Sequence, residues 1–283
     1  MLDVFNIPGQ QDNVKIFYAR GTTDWQTWQK PRGCKFIWMM CIGAGSGGFG
    51  GAGAGGAVNA TGGPGGAVTK ALFPANVLPD NLYIQPGTGS IGGAGALTNI
   101  NNLPNVPGRS FISIAPSSTT VMNLVCTSGA ANASGGTPET AATVAAAGIL
   151  SLGNFTSTAG ANAGAAGSSL TPLTTTITCA GANGSAAGAV AGASILSVTL
   201  GTFNTPTISG GATSTIGNSG VWFWKPMFGL GASGGGGVVS GIAGNGGDTE
   251  SYGCGGGGGG NSGAGTGGNG GKGGDGLVII ATF

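Results

Sequence analysis

The sequence contains no histidine, and its 283 residues include only 9 basic and 8 acidic side chains. Without histidine the commonest general base is missing, and the usual Cys/His zinc sets are impossible. A formal net charge of +1 gives no electrostatic footprint for nucleic acid or for an anionic membrane surface, so neither partner is expected. Long apolar runs are also missing. The charge-free stretches 36–69 and 140–224 are broken repeatedly by Gly, Asn, Ser, Thr or Pro. Neither holds the ~20 consecutive apolar residues that a membrane helix needs, and no membrane insertion is expected. The opening MLDVFNIPGQQDNVK has no basic start and no apolar run, so it is not read as a secretory signal. Cysteines are few, odd in number and without a CxxC pair. Cys34, Cys41, Cys126, Cys179 and Cys254 read as buried free thiols of a chain made in a reducing cytoplasm.

What the sequence does have is glycine, 65 residues of it, about three times the usual share of ~7%. Mean hydropathy is +0.26, which with so little charge argues against disorder. Composition divides the chain four ways. Residues 1–35 hold eight of the charges (Asp3, Asp12, Lys15, Arg20, Asp24, Lys30, Arg32, Lys35) and read as an arm or attachment segment. Residues 36–96 open with the apolar run FIWMMCI, a strand buried on both faces, and continue into a Gly-rich tract with a strand and turn in VLPDNLYIQPG. Residues 97–230 are rich in Ser, Thr, Asn and Ala. Here SFISIA, TVMNLVC, LTTTITC and ASILSVTLGTF have β character between turn residues, and Glu139–Ala147 suits a short helix. Residues 231–283 form a second Gly-rich tract closed by the apolar strand LVIIATF. Four times a Cys stands at the mouth of a small-residue stretch, in MMCIGAG, LVCTSGA, ITCAGAN and YGCGGGG.

The Gly tracts have a period of three. From Ala264 the sequence runs AGT-GGN-GGK-GGD-G, placing Thr266, Asn269, Lys272 and Asp275 in one row of side chains. In the first tract Ser46, Phe49, Ala52, Thr61, Pro64 and Ala67 share a phase. Three is the period of an extended polyproline-II-type helix, which has no internal hydrogen bonds and must pair its N–H and C=O groups with neighbours. Two Gly faces per turn allow those neighbours to come close. Collagen is excluded, because it places Gly at one position in three and fills the others with Pro. The expected fold is mainly β with packed polyglycine-II-type segments and little helix.

Three motifs invite a chemical reading and fail. Gly43-x-Gly45-x-x-Gly48 follows a strand as a dinucleotide fingerprint would, but no helix-forming sequence follows and no acid appears until Asp80. GGKGGDGLV fits one calcium β-roll nonapeptide through Asp275, but no tandem copy accompanies it. Asp248 and Glu250 are the closest acids, and solvation explains both. No catalytic residue, metal or cofactor is expected, and the chain is not expected to be an enzyme. The informative large side chains are aromatic. Trp222, Phe223, Trp224 and Phe228 in VWFWKPMF are candidate receptor contacts, although neighbours in a strand must face opposite ways. Trp25 and Trp28 are candidate attachment contacts, with packing of the arm as the alternative.

The run W-x-x-P-x-G-C (Trp28, Pro31, Gly33, Cys34), followed by an apolar strand and GAGSGGFGGAGAGG, resembles the glycine-rich domain of bacteriophage tail fibres and adhesins. The ending YGCGGGGGGNSGAGTGGNGGKGGDGLVIIATF is similar to the close of that domain, and the likeness covers about residues 25–96 and 231–283. It implies a virion surface protein at a fibre or spike tip that binds a bacterial surface receptor, protein or glycan. Other virion proteins would then hold the N-terminal arm, a homotrimer is one family-level arrangement, and residues 97–230 would carry specificity. The alternative is a purely structural virion protein, such as a capsid decoration, head fibre or baseplate element.

Overall fold

The computed structural model describes residues 13–54, 60–98, 102, 104–120, 123–131, 154–158, 178–187, 194–195, 207–224 and 227–283. It is mainly β, with almost no helix. The helix expected at Glu139–Ala147 and most of LTTTITC lie outside the described residues.

Strands β1 (Val14–Tyr18), β2 (Gln26–Gln29), β3 (Phe36–Ile42), β4 (Val68–Pro74), β5 (Asn81–Gln85), β6 (Ser110–Ser113), β7 (Leu124–Ser128) and β8 (Asn154–Thr158) precede two short ones, β9 (Ser194–Ile195) and β10 (Thr207–Ile208). Then follow β11 (Trp222–Trp224), β12 (Met227–Gly229), β13 (Val238–Ile242), β14 (Ser262–Thr266) and the closing β15 (Leu277–Thr282). One antiparallel sheet runs β1-β15-β3-β4-β8 and a second runs β2-β5-β6-β7. Alternation of side chains along each strand gives the first sheet two faces. Ile37, Met39, Cys41, Phe73, Val278 and Ile280 point to the second sheet and meet Trp28, Leu82, Ile84 and Ile112 in the main core. Met40, Ile42, Val68, Leu277 and Ile279 point the other way and are covered by Trp222, Met227 and Tyr252. FIWMMCI and LVIIA are apolar throughout because these middle strands are covered on the inner face and over the Ile42–Leu277 end of the outer one. Among the described residues no helix is long and apolar enough to cross a membrane.

The Gly-rich tracts form a bundle of extended segments beside this sandwich. Segments 43–53, 86–96, 178–186, 230–238 and 253–262 lead away from the sheets, and 60–66, 104–108, 215–221, 243–251 and 266–276 return. At the centre lies 253–262, whose hydrogen bonds repeat every third residue. Gly255, Gly258 and Asn261 donate to Cys179, Ala182 and Ser185, while Gly256, Gly259 and Ser262 donate to Ser46, Phe49 and Ala52. Gly257 and Gly260 donate to Gly247 and Gly244. The carbonyls serve three further neighbours: Gly255 and Gly258 accept from Ala232 and Gly235, Gly256 from Gly63, and Gly257 and Gly260 from Gly271 and Gly268. Six segments therefore surround the central one, at N···O distances such as 2.9 Å for Gly258–Ala182 and 2.8 Å for Gly271–Gly257.

That arrangement dictates the unbroken glycines 255–260. A Cβ on Gly255 or Gly258 would land on the carbonyl oxygen of Gly63 or Ala60, and one on Gly256 or Gly259 on that of Gly271 or Gly268. On Gly257 or Gly260 it would strike the carbonyl oxygen of Ser233 or Gly236. All three rows are blocked in the middle of the bundle. At its edge 266–276 has one open side, and Thr266, Asn269, Lys272 and Asp275 occupy it at intermediate to full exposure.

Three sequence expectations change in detail. The row from Ser46 to Ala67 is two rows on antiparallel neighbours, joined by Ser46 N–H to Pro64 O (3.1 Å) and Phe49 N–H to Thr61 O (2.9 Å). The boundary expected at 230/231 is no break in the bundle, since 178–186 and 215–221 are hydrogen-bonded members of it. In 215–221 the non-glycine side chains are exposed, whereas in 178–186 Ala180, Ala182, Asn183 and Ser185 are small and buried. The described part of 1–35 supplies β1 and β2, one edge strand to each sheet.

The repeated Cys marks the junction between sheets and bundle. Cys41 lies near the end of β3 and its Sγ–H donates to the Cys126 carbonyl at 3.8 Å, while the Cys179 N–H donates to Cys254 Sγ at 3.3 Å. All five cysteines are free, and all but Cys34 are buried.

Two predictions follow from this packing. Gly257→Ala forces a methyl group onto a backbone oxygen and should destabilise the fold by about 3 kcal/mol or more, whereas Lys272→Ala on the open row should change stability by less than ~0.5 kcal/mol; chemical denaturation of both variants checks the contrast. Burial raises the thiol pKa of Cys41 and Cys254 well above the ordinary 9.0 and that of Cys179 to about 12. The unfolded chain releases these protons near pH 9 and the folded chain holds them, so stability is full below pH 9 and falls as pH rises toward 12. Urea midpoints should therefore drop with alkaline pH, and less steeply in a Cys41→Ala/Cys179→Ala/Cys254→Ala variant.

Candidate functional site

Large side chains are exposed at both ends of the bundle, and singly along its segments at Ile91, Val106 and Ile216. At the sheet end, β11 pairs with β12 in the register Trp222–Gly229, Phe223–Phe228 and Trp224–Met227. The hairpin splits its aromatics as strand alternation requires. Phe223 stacks on Phe228 at 4.7 Å and 22°, and both pack on Cys179, Ile208, Leu230 and Cys254. Trp222 and Trp224 face the other way and meet edge-on at 5.9 Å, with Tyr252 at 5.3 Å from Trp222 and 5.9 Å from Trp224. Tyr18 continues this cluster at 5.8 Å from Tyr252. Burial raises the phenol pKa of Tyr252, with Tyr18 and the Asp275 carboxylate adding to the shift. Gly229 is required beneath Trp222, since a Cβ there would press on the indole and on Cys254 Sγ. Of the four aromatics expected as contacts, only Trp224 is exposed.

Trp28 is 5% exposed and belongs to the main core, and Trp25 lies 6.4 Å from Phe111 on the second sheet. Both pack the N-terminal strands onto the body. A cavity of about 300 Å³ opens beside them between β1 and β2, lined by Lys15, Phe17, Trp28, Gln29 and Pro31 among others.

The opposite end of the bundle is reached after some ten residues of extended chain, roughly 30 Å at ~3.1–3.4 Å per residue. There 238–242 and 262–266 turn the chain between outgoing and returning segments, as the parallel pair β13–β14. Val239 and Ile242 are 71% and 74% exposed, and Leu97 at the end of a neighbouring segment is exposed as well. Gly241 adopts φ +96° in this turn with open space where a Cβ would stand. Sequence reading passed over these three apolar residues. Their only signal is that each interrupts small-residue sequence at the end of a Gly tract.

The row Thr266, Asn269, Lys272 and Asp275 has a structural explanation. Peripheral segments lack one neighbour, and side-chain oxygens replace its carbonyls. Asn269 Oδ1 accepts from Gly95 N–H at 2.7 Å and Asp275 Oδ1 from Gly89 N–H at 2.8 Å. One segment over, Asn245 Oδ1 accepts from Asn269 N–H at 2.8 Å and Asp248 Oδ1 from Lys272 N–H at 2.6 Å. The Lys272–Asp275 ion pair at 3.4 Å is exposed and contributes little. Asp248 and Asp275, two of the three acids that invited chemical readings, thus cap backbone donors, and the third, Glu250, is exposed. Among the described residues no group of three or more His, Cys, Asp or Glu side chains is placed to hold a metal ion.

No curated protein matches the chain in sequence. A family model described as a glycine-rich domain matches residues 20–282. That span runs from the connection after β1 to the end of β15, through both sheets and the whole bundle, and the chain belongs to this glycine-rich domain family.

Proposed function

We propose that the chain is a non-enzymatic phage virion surface protein, an adhesin at a tail-fibre or spike tip that binds a bacterial surface receptor. The observation that carries this reading is the cluster of turns at the far end of the bundle, with Leu97, Val239 and Ile242 exposed some ten residues from the nearest sheet strand. Apolar side chains held in water at the end of a stiff support suit contact with another surface. The three-residue hydrogen-bond repeat and the six neighbours of 253–262 support reading the segments as polyglycine-II-type helices. On this reading Leu97, Val239 and Ile242 make first contact, and the Trp222, Phe223, Trp224 and Phe228 hairpin is placed at the attachment end. The acids and lysines near the distal turns are few, so binding rests on apolar contact and on Ser, Thr and Asn hydrogen bonds.

Two measurements test the proposal. Adsorption of particles carrying Val239→Asp/Ile242→Asp should fall at least roughly tenfold with an unchanged unfolding midpoint, and wild-type adsorption should vary less than about twofold between about 0.05 and 0.5 M salt. Immunogold labelling of intact particles should place the protein at fibre or spike tips. Gold spread evenly over capsid faces, with adsorption unaffected by the distal substitutions, would replace this reading with a purely structural virion role.

A further inference from the structure

The described residues cover the outer face of the five-stranded sheet only in part. Its upper row, Tyr18, Leu277, Ile42 and Val68, lies beside Trp222, Met227 and Tyr252. Below it, cross-strand partners on the same face bring together Trp38 with Leu72 and Phe36 with Pro74. Phe283 stands opposite Phe36, held by Phe283 N–H to Phe36 O at 3.0 Å and Phe36 N–H to Phe283 O at 3.2 Å. Phe36 is 48%, Phe283 41% and Leu72 39% exposed. With Val14 and Ile16 on β1 and Trp224 on the hairpin, these side chains make one apolar surface. Scattered exposed apolar residues need no explanation, but a contiguous aromatic face on a sheet is the composition of an interface.

Lys70 stands inside this surface, directly across from Met40 on β3 and Thr156 on β8. It is half-buried and has no ion-pair partner among the described residues. None of the five strands carries an Asp or Glu. A second copy of this chain laid face to face would therefore cover two ammonium groups with no strand carboxylate opposite either, which is costly. A partner with a carboxylate opposite Lys70 gains an ion pair as the surrounding apolar groups leave water.

We infer that this face, centred on Phe36, Trp38, Leu72, Phe283 and Lys70, is the docking surface for a different protein chain that presents apolar side chains around an aspartate or glutamate. The inference does not depend on the adhesin reading, because it holds for any assembly in which the protein is seated by its sheet end.

The test is site-specific photo-cross-linking in the cells that make the protein, with p-benzoylphenylalanine at position 72 and, as control, at position 239. Position 72 should give one discrete product whose partner peptide, identified by mass spectrometry, comes from another chain and contains Asp or Glu. Lys70→Glu should lower its yield roughly tenfold, Lys70→Arg should retain most of it, and position 239 should not give this product. Lys70→Gln replaces Lys70→Glu if the latter lowers the unfolding midpoint. A product joining two copies of this chain, one joining position 72 to residues 1–12 of the same chain or to lipid, no product, or a yield indifferent to Lys70→Glu would each overturn the inference. Absence of the protein from purified particles would refute the virion reading alone, since the cellular cross-link is scored separately.

Discussion

The structure depends on one constraint, the need to pair backbone N–H and C=O groups in chain that is neither helix nor sheet. Extended segments with a three-residue repeat point their polar groups outward in three directions, so every bond must be made to another segment. The central segment 253–262 meets this condition by donating to three neighbours and accepting from three others. Once six segments close around it there is no direction left for a side chain, and six consecutive glycines are the outcome. Glycine carries an entropic cost of ~0.5–1 kcal/mol relative to Ala in ordered structure. Here that cost is offset only by the backbone bonds that close approach permits.

The same constraint explains how composition changes across the bundle. Edge segments need two glycine rows, and their third row is free for Thr266, Asn269, Lys272 and Asp275. Where an edge segment lacks a neighbour's carbonyl, Asn or Asp supplies an oxygen, as Asn269 does for Gly95 and Asp275 for Gly89. Asn261 and Asn183 do so inside the bundle, toward Ala52 and Gly62 at 2.9 Å each. Proline has no N–H to give, and Pro64 contributes through its carbonyl, which accepts from Ser46. The scarcity of charge belongs to the same account, because most interior positions admit no side chain long enough to carry one to water.

How much of this is legible in the sequence depends on the element. The strands at the heart of the sandwich are plain in FIWMMCI and LVIIATF, because apolar residues stand on both faces of each. β4 is not, since VTKALFP mixes Lys70 and Pro74 on the outer face with Ala71 and Phe73 in the core, and its neighbouring glycines hide its start. β1 is masked in the same way: Lys15 and Tyr18 give VKIFY the look of a polar arm, although it pairs along its length with β15. The period of three is visible in 265–276, where only the open row departs from Gly. It is not visible in 178–186, where small buried Ala, Asn and Ser stand among the glycines, so that segment reads as part of a separate insert. The opposed faces of the aromatic run are legible from strand alternation, but its hairpin pairing and the end of the bundle it occupies are not, the latter being set by long-range pairing that local sequence does not carry.

Those long-range pairings divide the labour of the molecule. Each outgoing segment is held in register by neighbours far away in sequence, such as Ala52 N–H on Asn261 Oδ1. The bundle therefore resists local change along its length. At the turns this restriction ends: Gly241 has open space around it, and Val239 and Ile242 touch water rather than backbone. Substitution is cheap there and expensive one turn further in, which is the property a variable contact surface needs. At the other end the open sheet face is built from strands whose opposite sides form the core, so Phe36 and Leu72 are displayed by strands anchored in the main core. A surface of that kind suits a fixed attachment, and the two ends can change independently because ten residues of backbone bonding stand between them.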